Sequence, residues 1–157
     1  MIDIEKLTWQ IYTSKLKIPE YVLSWIIEDT SLTAKLKNKY QDFRVNLIKQ
    51  VEQAPKDFEK QLLGLTNETT IIREVELIGN NCPVIFARSI IPETKDTAKI
   101  LAIGAKPLGE ILFNDKKIQR GNLEISQNLT LFARRSIFKI KDTKILVMEI
   151  FLEKLYA

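Results

Sequence analysis

Residues 68–92 read ETTIIREVELIGNNCPVIFARSIIP, and the fold turns on how this stretch pairs with itself. Asn80-Asn81 stands between two runs rich in Ile and Val. Asparagine accepts positive φ more readily than most residues, and a two-residue hairpin turn needs positive φ at both positions. The stretch is therefore two antiparallel strands rather than a strand followed by a crossover helix. Arg73 lies at the same strand parity as Ile71, Val75 and Leu77, while Glu74 and Glu76 share the other parity with Ile72 and Ile78. Side chains alternate across a strand, so the arginine faces the apolar side and the acids face out. An inward arginine is either a structural partner for an inward acid or a fork that takes a ligand carboxylate in two parallel hydrogen bonds.

An inward acid exists near the C-terminus. In ILVMEIFL (145–152) Glu149 has Val147 and Phe151 on its own face and Met148 and Ile150 on the other. An unpartnered carboxylate between apolar neighbours is costly, so Glu149 sits at a sheet edge, pairs with a cation, or meets a ligand. Arg134 shares parity with Ser136, Phe138 and Ile140. With Asp142-Thr143 as a two-residue turn, Ser136 falls opposite Glu149 and Arg134 opposite Phe151, which makes Arg134 a second inward cation near the acid.

Outward from these strands, FRVNLIKQV (43–51), KKIQRGNLEIS (116–126), LFARRSIFKI (131–140) and KILVMEIFL (144–152) complete six. Ile4, Leu7 and Ile11 have helical spacing, Pro19 opens a segment with Val22, Trp25 and Ile26 on one stripe, and Ser31, following Asp29-Thr30, is an N-cap for a helix toward Tyr40. Residues 55–64 read as a helix opened by Pro55 and closed by Gly64, with short helical pieces over 93–104 and 106–113. Hairpins joined to helical segments predict α+β with a six-stranded antiparallel sheet, helices covering one face and one end. Ser31 and Pro107 leave the N–H groups of Leu32 and Leu108 without intrahelical acceptors, donors suited to an anion.

The 157 residues, 45% hydrophobic and 28% charged, fit one globular domain spanning 1–157. The chain has no histidine, which excludes His-dependent nucleophile arrangements and HExxH zinc sites. Cys82 is the single cysteine, so neither an intramolecular disulfide nor a thiolate cluster can form. No GxxxxGK[ST] or GxGxxG loop and no carboxylate cluster for a metal appear. The net charge of +4 suits small anionic substrates. The basic stretch KLKNKYQDFRVNLIK (35–49) is a solvated helix face without a nucleic-acid motif, so no nucleic-acid partner is expected. No apolar run is long enough for a membrane span and MIDIEKLTWQIY lacks the pattern of a signal peptide. The expectations are a cytoplasmic protein without stable membrane insertion and, lacking a heptad pattern, a monomer.

The ordered blocks DTSLTAKL, REVELIGNNCPVIFARSIIP, KPLGEILF, RGNLEI, ARRSIFKI and ILVMEIFL resemble the chorismate pyruvate-lyase family from about Trp25 to Leu152. The resemblance implies an enzyme that converts chorismate to 4-hydroxybenzoate and pyruvate without a cofactor or metal, usually as the first committed step toward ubiquinone. It implies a six-stranded antiparallel sheet and an internal ligand cavity closed by helical flaps. By the same resemblance Arg73 holds the ring carboxylate and Glu149 meets the hydroxyl end as acid/base. Main-chain contacts come from Leu32 on the first flap and Leu108 on the second. Arg134 is not carried over by the resemblance; as a second inward cation near Glu149 it is expected, as a mechanistic hypothesis, to face the departing pyruvyl carboxylate. Some members have Met at the position of Leu32, a swap that an N–H contact tolerates. After Phe151-Leu152 the chain runs EKLYA where the family commonly has a proline, which affects the tail rather than the site.

Two other readings share this fold. UTRA-type effector domains of bacterial regulators resemble it and bind small ligands without transforming them, but they normally follow a winged helix, for which the residues before Pro19 are too few. A lyase making another hydroxybenzoate isomer is the third.

Overall fold

The computed structural model describes residues 3–28, 31–128 and 131–157. Its core is one antiparallel sheet of eight strands, β1 Gln10–Ile11, β2 Phe43–Glu52, β3 Thr70–Gly79, β4 Cys82–Pro92, β5 Ile118–Arg120, β6 Glu124–Asn128, β7 Leu131–Ile140 and β8 Thr143–Phe151. They are ordered β1-β6-β7-β8-β4-β3-β2, with β5 also on β7. Among the described residues five helices accompany them: α1 Glu20–Ile26, α2 Leu32–Lys39, α3 Asp57–Leu63, α4 Ala98–Leu101 and α5 Leu108–Asn114.

The β3–β4 hairpin forms as its turn chemistry requires. Gly79 pairs with Cys82, and Asn80 and Asn81 take φ of 48° and 66°, both in the left-handed region of a type I′ turn. Strands β3, β4, β8 and β7 then form the middle of the sheet.

The strand count exceeds the expected six for two reasons. The segment expected as one strand over 116–126 runs along the edge of β7 in two pieces: β5 pairs with 138–140 and β6 with 131–135, separated at Gly121, whose N–H donates to Ile137 O. The second reason lies near the N-terminus, where the expected helix is a 3₁₀ turn at Ile4–Lys6 followed by the two-residue β1, which pairs with β6. Leu7 is buried but Ile11 is exposed, so the apparent period of Ile4, Leu7 and Ile11 does not describe one helix.

Both sheet faces are covered, which corrects the expectation of helices on one face and one end. On one side α1 and α2 pack Val22, Trp25, Ile26, Leu32 and Leu36 against Val75, Leu77 and Phe151, and α4 and α5 pack Ile100, Leu108 and Leu112 against Ile91, Phe138 and Ile145. On the other, Leu63 of α3 meets Ile72, Ile90 and Leu146, and Leu7 of the N-terminal segment meets Met148 and Ile150. This explains why ILVMEIFL has no wet face. It also changes the reading of Glu74, which does not face water alone: Arg88 donates Nη1 to Glu74 Oε2 at 2.8 Å and, through Nε and Nη2, grips Glu59 of α3 at 2.8 and 2.9 Å. Burial works to lower the pKa of Arg88, but the bonds and charges of Glu59 and then Glu74 outweigh it and hold the pKa above the ordinary arginine value.

Candidate active site

The cavity lies on the α1/α2/α4/α5 side of the sheet. Among its lining residues are Leu32, Arg73, Leu108 and Glu149, together with Val45, Val75, Leu77, Ser89, Phe113, Phe138 and Val147. Four of the five residues singled out from sequence, drawn from two strands and two helices, therefore meet around one space; Arg134 is the exception. The cavity volume is about 50 Å³. A small cavity with apolar walls and one arginine and one glutamate on its lining suits a small polar ligand.

Sheet register places the charges. Arg73 pairs with Ser89, Ser89 with Val147, and Glu149 lies two residues along β8 from Val147 on the same face. Two inter-strand steps and one two-residue step separate the Cα atoms of Arg73 and Glu149 by roughly 12 Å. Both side chains line the same small chamber.

Arg73 is 2% exposed. Its Nη1 donates to Gln50 Oε1 at 2.8 Å and Gly104 O at 2.6 Å, and its Nη2 to Lys106 O at 2.8 Å. No acid is recorded in an ion pair with it among the described residues. Lost hydration lowers its pKa from the ordinary arginine value, yet a guanidinium remains charged at neutral pH. A buried, carbonyl-clasped cation without a structural carboxylate is what a ligand carboxylate would complete.

Gln50 was not found from the sequence. The pairing of β2 with β3 shifts between Leu47 and Lys49, a bulge that brings Gln50 opposite Arg73 and turns Ile48 and Val51 outward, 47% and 43% exposed. Its Nε2 donates to Leu101 O at 2.8 Å, so it ties Arg73 to α4. The available signal was the break in alternation at Leu47-Ile48, two apolar residues of opposite parity in a strand that otherwise alternates.

Glu149 meets Arg134 directly across β7–β8, and Arg134 Nε donates to Glu149 Oε1 at 2.7 Å. The expected register was two residues off because the turn is Lys141-Asp142, with Lys141 at φ 53° and Ile140 paired with Thr143. Arg134 is absent from the cavity lining. Its Nη1 donates to the carbonyls of Trp25, Ile26 and Glu28, so its position does not support a free contact to a departing carboxylate.

Leu32 and Leu108 open α2 and α5, with Ser31 and Pro107 as their N-caps. Ser31 Oγ accepts from Thr33 N at 3.2 Å, which leaves the Leu32 amide for another acceptor. The expected Asp29-Thr30 step before this cap lies outside the described residues. Among the described residues no group of three or more His, Cys, Asp or Glu side chains could hold a metal ion, and no helix is long and apolar enough to cross a membrane.

Comparison with known proteins agrees with this architecture. A relative from Pseudoalteromonas translucida, described as "Probable chorismate pyruvate-lyase", is 36% identical over 84% of this chain and 84% of its own length. One from Photorhabdus laumondii, described as "Chorismate pyruvate-lyase", is 30% identical over 86% of this chain and 83% of its own. A crystal structure of a GntR-family transcriptional regulator from Bacillus cereus superposes with a TM-score of 0.50 at 13% identity, covering 73% of this chain and 94% of that one. That likeness concerns the fold alone. The family model for chorismate lyase matches residues 3–157, and the chain belongs to that family.

Proposed function

We propose that the chain is a chorismate pyruvate-lyase and that the cavity between Arg73 and Glu149 is where it holds chorismate. The observation that carries the reading is that Arg73, Glu149, Leu32 and Leu108 line one small chamber in a chain whose relatives are described as chorismate pyruvate-lyases. Arg73 takes the ring carboxylate, with the Leu32 and Leu108 amides as further donors. Glu149 meets the hydroxyl end of the ring. The segments carrying α1–α2 and α4–α5 act as the two flaps.

The reaction is redox neutral. The ether C–O bond to the ring breaks, the C–H bond on the hydroxyl-bearing carbon breaks, and that electron pair completes the aromatic ring. The departing enolpyruvate takes up a proton and becomes pyruvate, leaving 4-hydroxybenzoate. Aromatisation drives the step, so the protein's task is to hold a dicarboxylate in one pose and stabilise charge moving toward the enolate. Glu149 is placed to take the ring proton in this reading, and Arg73 to keep the ring from turning. The protein then serves as a cytoplasmic monomer at the entry to ubiquinone synthesis.

Incubating the purified protein with chorismate tests the proposal. Pyruvate and 4-hydroxybenzoate are expected in equal amounts. Chorismate bound but unconverted would overturn the enzyme reading in favour of a sensor, and pyruvate with 3-hydroxybenzoate would overturn the product assignment. An elution mass that stays monomeric across dilutions is expected on gel filtration; a persistent dimer would contradict the monomer.

A further inference from the structure

Arg134 is 1% exposed, and its bonds run in two directions. Toward β8, Nε donates to Glu149 Oε1 at 2.7 Å. Toward the covering helices, Nη1 donates to Trp25 O at 3.3 Å, Ile26 O at 3.1 Å and Glu28 O at 2.8 Å. Those carbonyls stand at the C-terminal end of α1, where a helix lacks amides of its own to satisfy them and where its dipole favours a cation. Four residues beyond Glu28 the chain reaches Leu32, the first residue of α2 and part of the cavity wall. One side chain therefore touches both the candidate acid and the backbone that leads to the first flap.

The third nitrogen, Nη2, is buried and has no hydrogen-bond partner among the described residues. In a guanidinium, Nε–H and one N–H of Nη2 lie along a single edge, the edge that grips a carboxylate in two parallel bonds. Only the Nε half of that grip is recorded here. With Oε1 on Nε, Oε2 is the oxygen left for a ligand, since Glu149 itself lines the cavity. Turning the carboxylate to satisfy Nη2 as well would draw Oε2 onto the arginine. A buried orphan donor in a native structure calls for an explanation, and keeping Oε2 available supplies one.

We propose that Arg134 is a positioning residue for the lyase reaction: it fixes Glu149 with one oxygen kept for the substrate, and by clasping the carbonyls at the end of α1 it ties that placement to closure of the segment carrying Leu32. The inference rests on the reading of this cavity as the chorismate site. It assigns Arg134 a role through Glu149 and α1 rather than through contact with substrate.

The test is a four-protein cycle of wild type, Arg134→Gln, Glu149→Gln and the double variant, with Arg134→Lys as a fifth protein. Two quantities are read: the dissociation constant for 4-hydroxybenzoate, and amide hydrogen exchange over residues 20–36. Arg134→Gln is expected to weaken binding about tenfold in wild type and by less than about twofold when Glu149 is already Gln, because groups that act as a unit are not additive. Arg134→Lys, which retains the charge, is expected to recover part of the affinity. Exchange over 20–36 is expected to quicken in Arg134→Gln with or without Glu149, and to stay at the wild-type rate in Glu149→Gln alone. Equal loss of affinity in both backgrounds, or unchanged exchange in the Arg134 variants, would overturn the proposal. A wild type that binds no 4-hydroxybenzoate would overturn the cavity reading instead, while exchange over 20–36 would still decide whether Arg134 holds α1. Should Arg134→Gln fail to fold, the lysine variant carries the same comparison: wild-type affinity together with wild-type exchange would contradict it.

Discussion

At the scale of single residues, the site is built from groups placed against their own patterns. Arg73 was legible because it interrupts an apolar parity, and so was Glu149. The clasp around Arg73 was not legible, because two of its acceptors are main-chain carbonyls of Gly104 and Lys106, and a carbonyl carries no signature in the residue it belongs to. Replacing Arg73 by Ala removes the guanidinium while leaving the apolar walls. Affinity for 4-hydroxybenzoate should fall by about 1.5–3 kcal/mol, the usual worth of a hydrogen bond to a charged group, and titration calorimetry would show it; unchanged affinity would remove Arg73 as the anchor. Glu149→Gln keeps the shape and removes the group proposed as the base. Turnover of chorismate should drop on the order of 10²–10⁴-fold, and near-normal turnover would leave Glu149 with an orienting role only.

At the scale of elements, the sequence spoke most clearly where turn and cap residues are demanding. Asn80-Asn81 fixed the hairpin, Gly64 ends α3 at φ 62°, and Ser31 caps α2. It was least clear where an element owes its form to a neighbour. The run over 116–126 splits because it must follow β7 along its edge, and Gln50 turns inward because β2 bulges. The β7–β8 register escaped because Asp142-Thr143 and Lys141-Asp142 are both plausible turn pairs, and one residue of turn position moves the pairing by two. Close packing between elements is sharpest at Gly79, where an added Cβ would run into the Tyr40 ring. Gly79→Ala should force that ring aside and destabilise the fold by about 1–3 kcal/mol, visible as a lower denaturation midpoint; a midpoint at the wild-type value would show that α2 yields there without cost.

At the scale of the whole molecule, a sheet covered on both faces leaves room for buried polar groups on each. The back face holds the Arg88–Glu59–Glu74 cluster, the front face holds the cavity, and the C-terminal tail closes over Tyr40 and α1 through Leu155 and Tyr156. Burial, with a smaller contribution from Tyr21, pushes the Tyr156 hydroxyl up to about 12, and among the described residues that oxygen has no hydrogen-bond partner. An unfolded tyrosine ionises near pH 10, so between about 10 and 12 the folded state binds more protons than the unfolded one and stability must fall as pH rises. Tyr156→Phe should flatten that alkaline loss in chemical denaturation, and an identical slope in both proteins would assign the loss elsewhere. The family and antiparallel α+β class were legible at this scale from ordered blocks spread through the chain. Cover on the second face was not, because the N-terminal turn reads as a helix and the helix over 55–64, though legible, does not tell which face it covers.

The most direct measurement is a crystal structure of the protein with 4-hydroxybenzoate bound. The ligand should lie in the cavity with its carboxylate on the Arg73 guanidinium and its hydroxyl within hydrogen-bond reach of Glu149 Oε2, while Oε1 stays on Arg134. A ligand seated elsewhere, or reversed so that its carboxylate faces Glu149, would contradict the account.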